Sequence, residues 1–389
     1  MRTVTSTTSA ILASSLLGAA SAAVLDLPIF IQWGYKMVEF DVGTPGQKAH
    51  LLFDTGSSTP WMVDAECADT CQHVNKGNRF GYNLSASSTG KLTGDGADMS
   101  YLGGTVSGPA VKDKFSAGGL TWDNTFIAAN YSDWSSLAAD GFVGLGFSSV
   151  ADGGTKPVFE ALMEKKLMDK PRFAIYYSRE DGDDTHGKPG KGRLTLGDSY
   201  EDKYVEGDMV SLPLTTYNGD YALWQTPLHS TTGHQSGKNC SQKGGQKDKK
   251  IELNGITTTF DTGASGISLP ESQIEDFYES IGMNWTAIIS GDHIPLCSEF
   301  TKDWSLTFEL GFYGETKNIT IYGDQLRLPG FANREDACWP PFDTMDSDTA
   351  LIGTRFLRNF YTVWDYGAFP GKDVFINPTL SIGSLKEGF

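Results

Sequence analysis

The sequence lacks any apolar run approaching the roughly 20 residues needed to span a bilayer, and its C-terminus has no hydrophobic tail. A membrane anchor is therefore not expected. Neither His-Glu-x-x-His nor Gly-x-Ser-x-Gly occurs, so a zincin-type metal centre and a serine nucleophile elbow are both unsupported. Positive charge is scarce: 31 Lys and Arg stand against 48 Asp and Glu, a formal net charge of -17. That balance argues against nucleic acid as a partner, because such binding needs a basic surface. No Gly-x-y period runs through the 45 glycines, which excludes a collagen-like chain and fits strands joined by tight turns. Cysteine is also sparse, at five.

What is there begins with length. At 389 residues, 39% hydrophobic, the chain exceeds one ordinary core, and two domains are expected. Residues 1–22 have the form of a signal peptide: Arg2, a small apolar stretch, and Ala20-Ser21-Ala22 as a cleavage site. Export makes the cysteines legible as disulfides. Local pairing gives Cys67–Cys71 and Cys297–Cys338, leaving Cys240 over. Zinc would need a second ligand pair beside Cys67 and Cys71, and His73 alone does not supply it. Five sequons, at Asn83, Asn130, Asn239, Asn284 and Asn318, suit a secreted glycoprotein.

Segments 36–42, 49–53, 193–196 and 361–364 read as strands, rich in β-branched and aromatic residues and bounded by Gly or Pro. Helical patterns are confined to 157–166, 271–281 and 355–360, so the fold class is mainly β with a few short helices. Residues 230–250, polar and Gly/Lys-rich, are expected to form a solvated insertion loop. His50 is expected to be an outward polar residue on an alternating strand.

The informative feature is an internal repeat. Leu51-Leu52-Phe53-Asp54-Thr55-Gly56-Ser57 is echoed by Thr258-Thr259-Phe260-Asp261-Thr262-Gly263-Ala264. Phe142-Val143-Gly144 follows the first aspartate, with Gly144 at 90 positions, and Leu351-Ile352-Gly353 follows the second, with Gly353 at 92. A single Asp-Thr-Gly is ordinarily a turn. Two copies in matched places of two repeats predict a pseudo-twofold axis that brings Asp54 and Asp261 face to face. Carboxylates so close cannot both ionise cheaply and hold one proton between them. The charged member can activate a water while the neutral one donates to a scissile carbonyl oxygen, which is general acid–base hydrolysis without a covalent intermediate. Gly56 and Gly263 let backbone and water approach, and Thr55 and Thr262 can bond across the interface.

From about Tyr35 to Pro378 these residues resemble the pepsin-like aspartic proteases. Asp54-Thr55-Gly56-Ser57-Ser58 with Trp61 is similar to that family's first active-site loop, and Asp261-Thr262-Gly263 to its second. Tyr101-Leu102-Gly103-Gly104-Thr105 resembles its flap hairpin. The resemblance implies a bilobal acid-protease fold, with residues 23–205 and 206–389 as the lobes, and a Tyr101–Trp61 hydrogen bond over the cleft. It implies polypeptide substrates with apolar side chains flanking the cut, statine-type inhibitors, no cofactor, and a monomer that is secreted or, alternatively, vacuolar. A binding or inhibitor protein of the same fold is the rival reading, and both intact triplets speak against it.

Four departures stand out. Leu102-Gly103 replaces the Gly followed by Asp, Ser or Thr usual at the flap tip. Ala264 stands where Ser or Thr commonly supports the second aspartate, which should raise the affinity of Asp261 for its proton. Thr354 replaces a frequent aspartate after Gly353, which should make the pair more acidic. Only residues 23–34 separate the signal from the first family strand, too few for the usual inhibitory prosegment.

Overall fold

The computed structural model describes residues 23–73, 79–236, 246–346, 348–371 and 374–389. The signal-peptide segment, Asn239 and Cys240 lie outside the described residues.

Alternation along the first strands sets two cores. In Tyr35–Val42, the residues Val38, Phe40 and Val42 point into the main core, and Met37 points the other way. The adjacent Gln47–Asp54 does the same, with Ala49, Leu51 and Phe53 on one face and Leu52 on the other. Period-two side chains thus bury both faces of this sheet. Strand Gly141–Gly144 then runs parallel to Gln47–Asp54, with Gly144 opposite Asp54, and antiparallel to Trp61–Val63.

The second half repeats this arrangement. Strand Thr349–Ile352 runs parallel to Gln246–Phe260, with Ile352 opposite Phe260, and antiparallel to Ile267–Pro270. In both halves the aspartate-bearing strand leaves the sheet, loops, and returns on the far side of one short strand. The near-equal spacing of the sequence repeat is this geometry.

A six-stranded antiparallel sheet joins the halves, in the order Leu25–Pro28, Arg193–Leu196, Arg172–Tyr176, Phe360–Asp365, Thr379–Ser384, Val210–Pro213. At its centre Phe173 stacks on Trp364 at 5.7 Å, and Arg172 pairs with Asp365 at 2.6 Å. Among the described residues the disulfides are Cys67–Cys71 and Cys297–Cys338. No helix among the described residues is long and apolar enough to cross a membrane.

Three local expectations need correction. Most of 230–250 is not a loop: Gln225–Ser236 and Gln246–Phe260 form a long antiparallel pair, and Gln225–Ser236 also pairs with Trp304–Leu310. Its polar residues are held by ladder bonds on both edges, so neighbours rather than hydrophobicity decide the conformation. The expected helix at 355–360 is the short Thr354–Leu357, and Phe360 already opens a strand of the shared sheet. His50 is not a plain outward residue. It stacks on Phe30 at 4.5 Å and meets Glu39 through Nε2 at 3.1 Å.

Candidate active site

Asp54 closes its strand and Asp261 lies one residue beyond its own. Both are fixed by the residues that follow. Thr55 N–H donates to Thr262 Oγ1 at 3.0 Å, and Thr262 N–H donates to Thr55 Oγ1 at 2.9 Å. Each hydroxyl then donates across the interface, Thr55 to the Phe260 carbonyl at 2.9 Å and Thr262 to the Phe53 carbonyl at 2.7 Å. The two threonines are buried, so these four reciprocal bonds are not exchanged with water. They lock the two loops in register.

Each glycine serves the opposite aspartate. A Cβ on Gly56 would lie 2.4 Å from Asp261 Cγ, and one on Gly263 would lie 2.4 Å from Asp54 Oδ1. No side chain larger than hydrogen fits between the loops. The glycine amides also donate within their own loops, Gly56 N–H to Asp54 Oδ1 at 2.8 Å and Gly263 N–H to Asp261 Oδ1 at 2.7 Å.

The symmetry ends one residue later. Ser57 Oγ donates to Asp54 Oδ2 at 2.5 Å, whereas Ala264 offers Asp261 only its backbone N–H, at 3.2 Å. Burial pushes the Asp54 carboxyl up from its ordinary range, and Ser57, Asp261 and the glycine amides pull it back. Burial and then the neighbouring Asp54 charge push Asp261 well above that range. The pair titrates as a unit, and its environment favours the proton on Asp261.

The hairpin of Lys91–Tyr101 and Gly104–Ala117 carries Leu102-Gly103 at its turn, and Leu102 is 90% exposed. Tyr101 packs against Trp61, Phe142 and Trp134 at 6.3, 5.2 and 5.6 Å between ring centroids. The expected Tyr101–Trp61 hydrogen bond differs from what is observed. The indole N–H lies close enough to ease ionisation of the hydroxyl yet makes no hydrogen bond of ordinary geometry, and Tyr101 Oη donates to Met99 Sδ at 3.7 Å.

Asp133 and Trp134 were not singled out in the sequence. Asp133 Oδ1 accepts the Thr105 N–H at 2.6 Å, and the Trp134 ring occupies the space a Gly103 side chain would need. Together they tie the hairpin tip down. Thr354, at the site of one departure, accepts a bond from Lys36 Nζ at 3.2 Å. Of the sequons, Asn83, Asn130, Asn284 and Asn318 are exposed, and Asn83 and Asn284 cap short helices through Oδ1.

Comparison with known proteins decides the family, because the family model for eukaryotic aspartyl proteases matches residues 35–369. The chain belongs to the eukaryotic aspartyl proteases. It is 28% identical over 342 residues to vacuolar protease A of Neurospora crassa, covering 85% of this chain and 76% of the relative. Cathepsin E of Mus musculus is 28% identical over 343 residues, covering 84% and 76%. Embryonic pepsinogen of Gallus gallus is 26% identical over 333 residues, covering 83% and 76%. As an aspartyl protease the protein is an aspartic-type endopeptidase of pepsin-like fold, and polypeptides are its substrates.

Proposed function

We propose that this endopeptidase hydrolyses peptide bonds in acid through a water held between Asp54 and Asp261. The observation that carries this reading is the reciprocal Thr55–Thr262 lock, which places two buried carboxyls together with a donor set on Asp54 that Asp261 lacks. Asp54 is the charged partner and takes a proton from the water. Asp261 carries the shared proton and donates it to the scissile carbonyl oxygen. The neutral pair is too acidic a state to activate water, and the doubly charged pair has no proton to give, so activity falls on both sides of a window.

Tyr101 and the exposed Leu102 roof the cleft, and apolar side chains flank the scissile bond. The chain enters the secretory route and acts outside the cell or in a vacuole. Two disulfides and the exposed sequon asparagines suit that oxidising route. The mature enzyme acts as a monomer of two lobes, 23–205 and 206–389.

Casein hydrolysis by the purified protein at acidic pH tests the mechanism. Asp54→Asn and Asp261→Asn are each expected to lose about 10³-fold or more in kcat while keeping the native circular dichroism spectrum. A statine-type inhibitor should block the wild type with one-to-one stoichiometry. Full activity in Asp261→Asn would rule out the shared-proton mechanism.

A further inference from the structure

A cavity of about 380 Å³ lies beside the shared sheet, lined in part by Lys36, Tyr177, Arg179, Asp183, Arg327 and Arg358. It reaches behind the paired aspartates. The Tyr177 ring stacks on Phe53, the residue before Asp54, at 6.1 Å, and Lys36 reaches Thr354, which follows Gly353.

The charge in this cavity is unbalanced. Four cationic side chains face two carboxylates, Asp183 and Asp324, in a chain whose net charge is -17. Arg358 Nη1 meets Asp183 Oδ1 at only 3.5 Å, and its Nη2 donates to the Arg327 carbonyl at 3.2 Å. Lys36 donates to the neutral Thr354 hydroxyl. Among the described residues Lys36, Arg179 and Arg327 have no ion pair. The cations also crowd one another. Burial and then Arg358 push the Lys36 ammonium down to about 8, and burial lowers Arg358 as well; Asp183 pulls both back up, and for Arg358 it outweighs the repulsion from Arg179.

An independent observation points the same way. Tyr177 is 5% exposed, lines the cavity, and its hydroxyl has no hydrogen-bond partner. A buried donor without a partner is costly, and so is the partly buried Lys36 ammonium without an ion pair, while Arg179 and Arg327 stand exposed at the rim. An anion with several oxygen acceptors relieves both costs, and leaves the buried Asp324 Oδ1 acceptor on the same lining without a partner.

We propose that this cavity is a binding site for a small multivalent oxyanion of the sulfate, phosphate or polycarboxylate class. The Arg358 and Arg179 guanidinium groups supply planar donor pairs suited to such oxygens, Lys36 supplies a point charge, and the Tyr177 hydroxyl completes the set. The site lies behind the paired aspartates, where the Asp261 charge reaches Tyr177, and the proposal does not depend on the roles assigned to the two carboxyls.

Thermal unfolding of the full chain tests this, in sodium sulfate or sodium citrate against sodium chloride at matched ionic strength and pH. The wild type should gain about 2 °C or more in Tm, saturating with ligand concentration. Arg179→Gln, at the exposed rim, and Tyr177→Phe should each lose at least half of that gain, while the remote Lys317→Gln keeps it. Salting-out stabilisation alone would rise without saturation and equally in every variant. That result, or no difference from chloride, would overturn the proposal.

Discussion

Ser57 and Ala264 occupy equivalent places after the two triplets and differ by one hydroxyl, and the proposed division of labour between the aspartates turns on it. The 2.5 Å bond from Ser57 stabilises Asp54 as a carboxylate, and no side chain does the same for Asp261. Hydrogen bonds to charged groups contribute about 1.5–3 kcal/mol, and one pKa unit corresponds to 1.36 kcal/mol. Ser57→Ala should therefore raise the proton affinity of Asp54 and move the acidic limb of kcat/KM upward by about one pH unit. Ala264→Ser adds a donor to Asp261, lowers its proton affinity, and should move the alkaline limb downward by a similar amount. The measurement is kcat/KM against pH for both variants. Limbs that move in the same direction, or not at all, would refute the assignment of the proton to Asp261.

At the scale of elements, the hairpin over the site is held by a neighbour that carries no sequence signal. The Trp134 ring meets Tyr101 at 5.6 Å and Phe142 at 5.3 Å, and it backs directly onto Gly103. Trp134→Ala should free the hairpin tip, raising KM about 10-fold with a smaller change in kcat, and Trp134→Phe should restore most of the loss. Unchanged KM in Trp134→Ala would show that the hairpin needs no such support. The contrast between Trp134 and Asp54 explains what was legible in the sequence. Asp54 and Asp261 were legible because a repeat predicts a contact between its own copies, and the reciprocal threonine bonds are that contact. Trp134 belongs to one half only, so nothing in the other half marks it. The strand at Gln225–Ser236 was missed for a different reason. Its residues include Ser230, Thr231 and Thr232, whose polarity suggests a loop, yet Ser230 and Thr231 are buried between two partner strands. Pairing on both edges overrides composition. The shared sheet was hidden likewise, because its strands come from sequence-distant segments such as Leu25–Pro28 and Thr379–Ser384.

For the molecule as a whole, the buried carboxyls set the pH at which the fold is strongest. Asp140 is 2% exposed, with its oxygens taking the His50 N–H at 2.7 Å and the Phe80 N–H at 2.8 Å. Burial pushes its carboxyl up to about 7, against the pull of those amides and of Arg79. Asp343 is raised by burial, and the Asp54–Asp261 pair is raised as described above. A carboxyl raised on folding contributes stability that is complete below its ordinary value of 3.8 and is lost as pH climbs through the folded value. For Asp140 that window runs from 3.8 to about 7 and spans at most about 4 kcal/mol. Opposing groups such as Asp113 and Asp198 are lowered despite burial, through bonds from Thr89 and Lys170 respectively. Their contribution is lost only as pH falls below the ordinary carboxylate range, and solvent screens Asp198. The two sets therefore act in different windows; above pH 4 the buried carboxyls are opposed by His50 and His73, which burial lowers and whose penalty fades as pH rises toward their ordinary value of 6.5. Repulsion within a chain of net charge -17 adds to the loss near neutrality. The Tm should accordingly peak near pH 4–5 and fall by several degrees toward pH 7.5. Asp140→Asn removes one titrating group at the cost of one amide acceptor, so it should start from a lower Tm and show a shallower fall. A Tm that climbs steadily from pH 4 to 7.5, or an unchanged slope in Asp140→Asn, would contradict buried carboxyls as the cause.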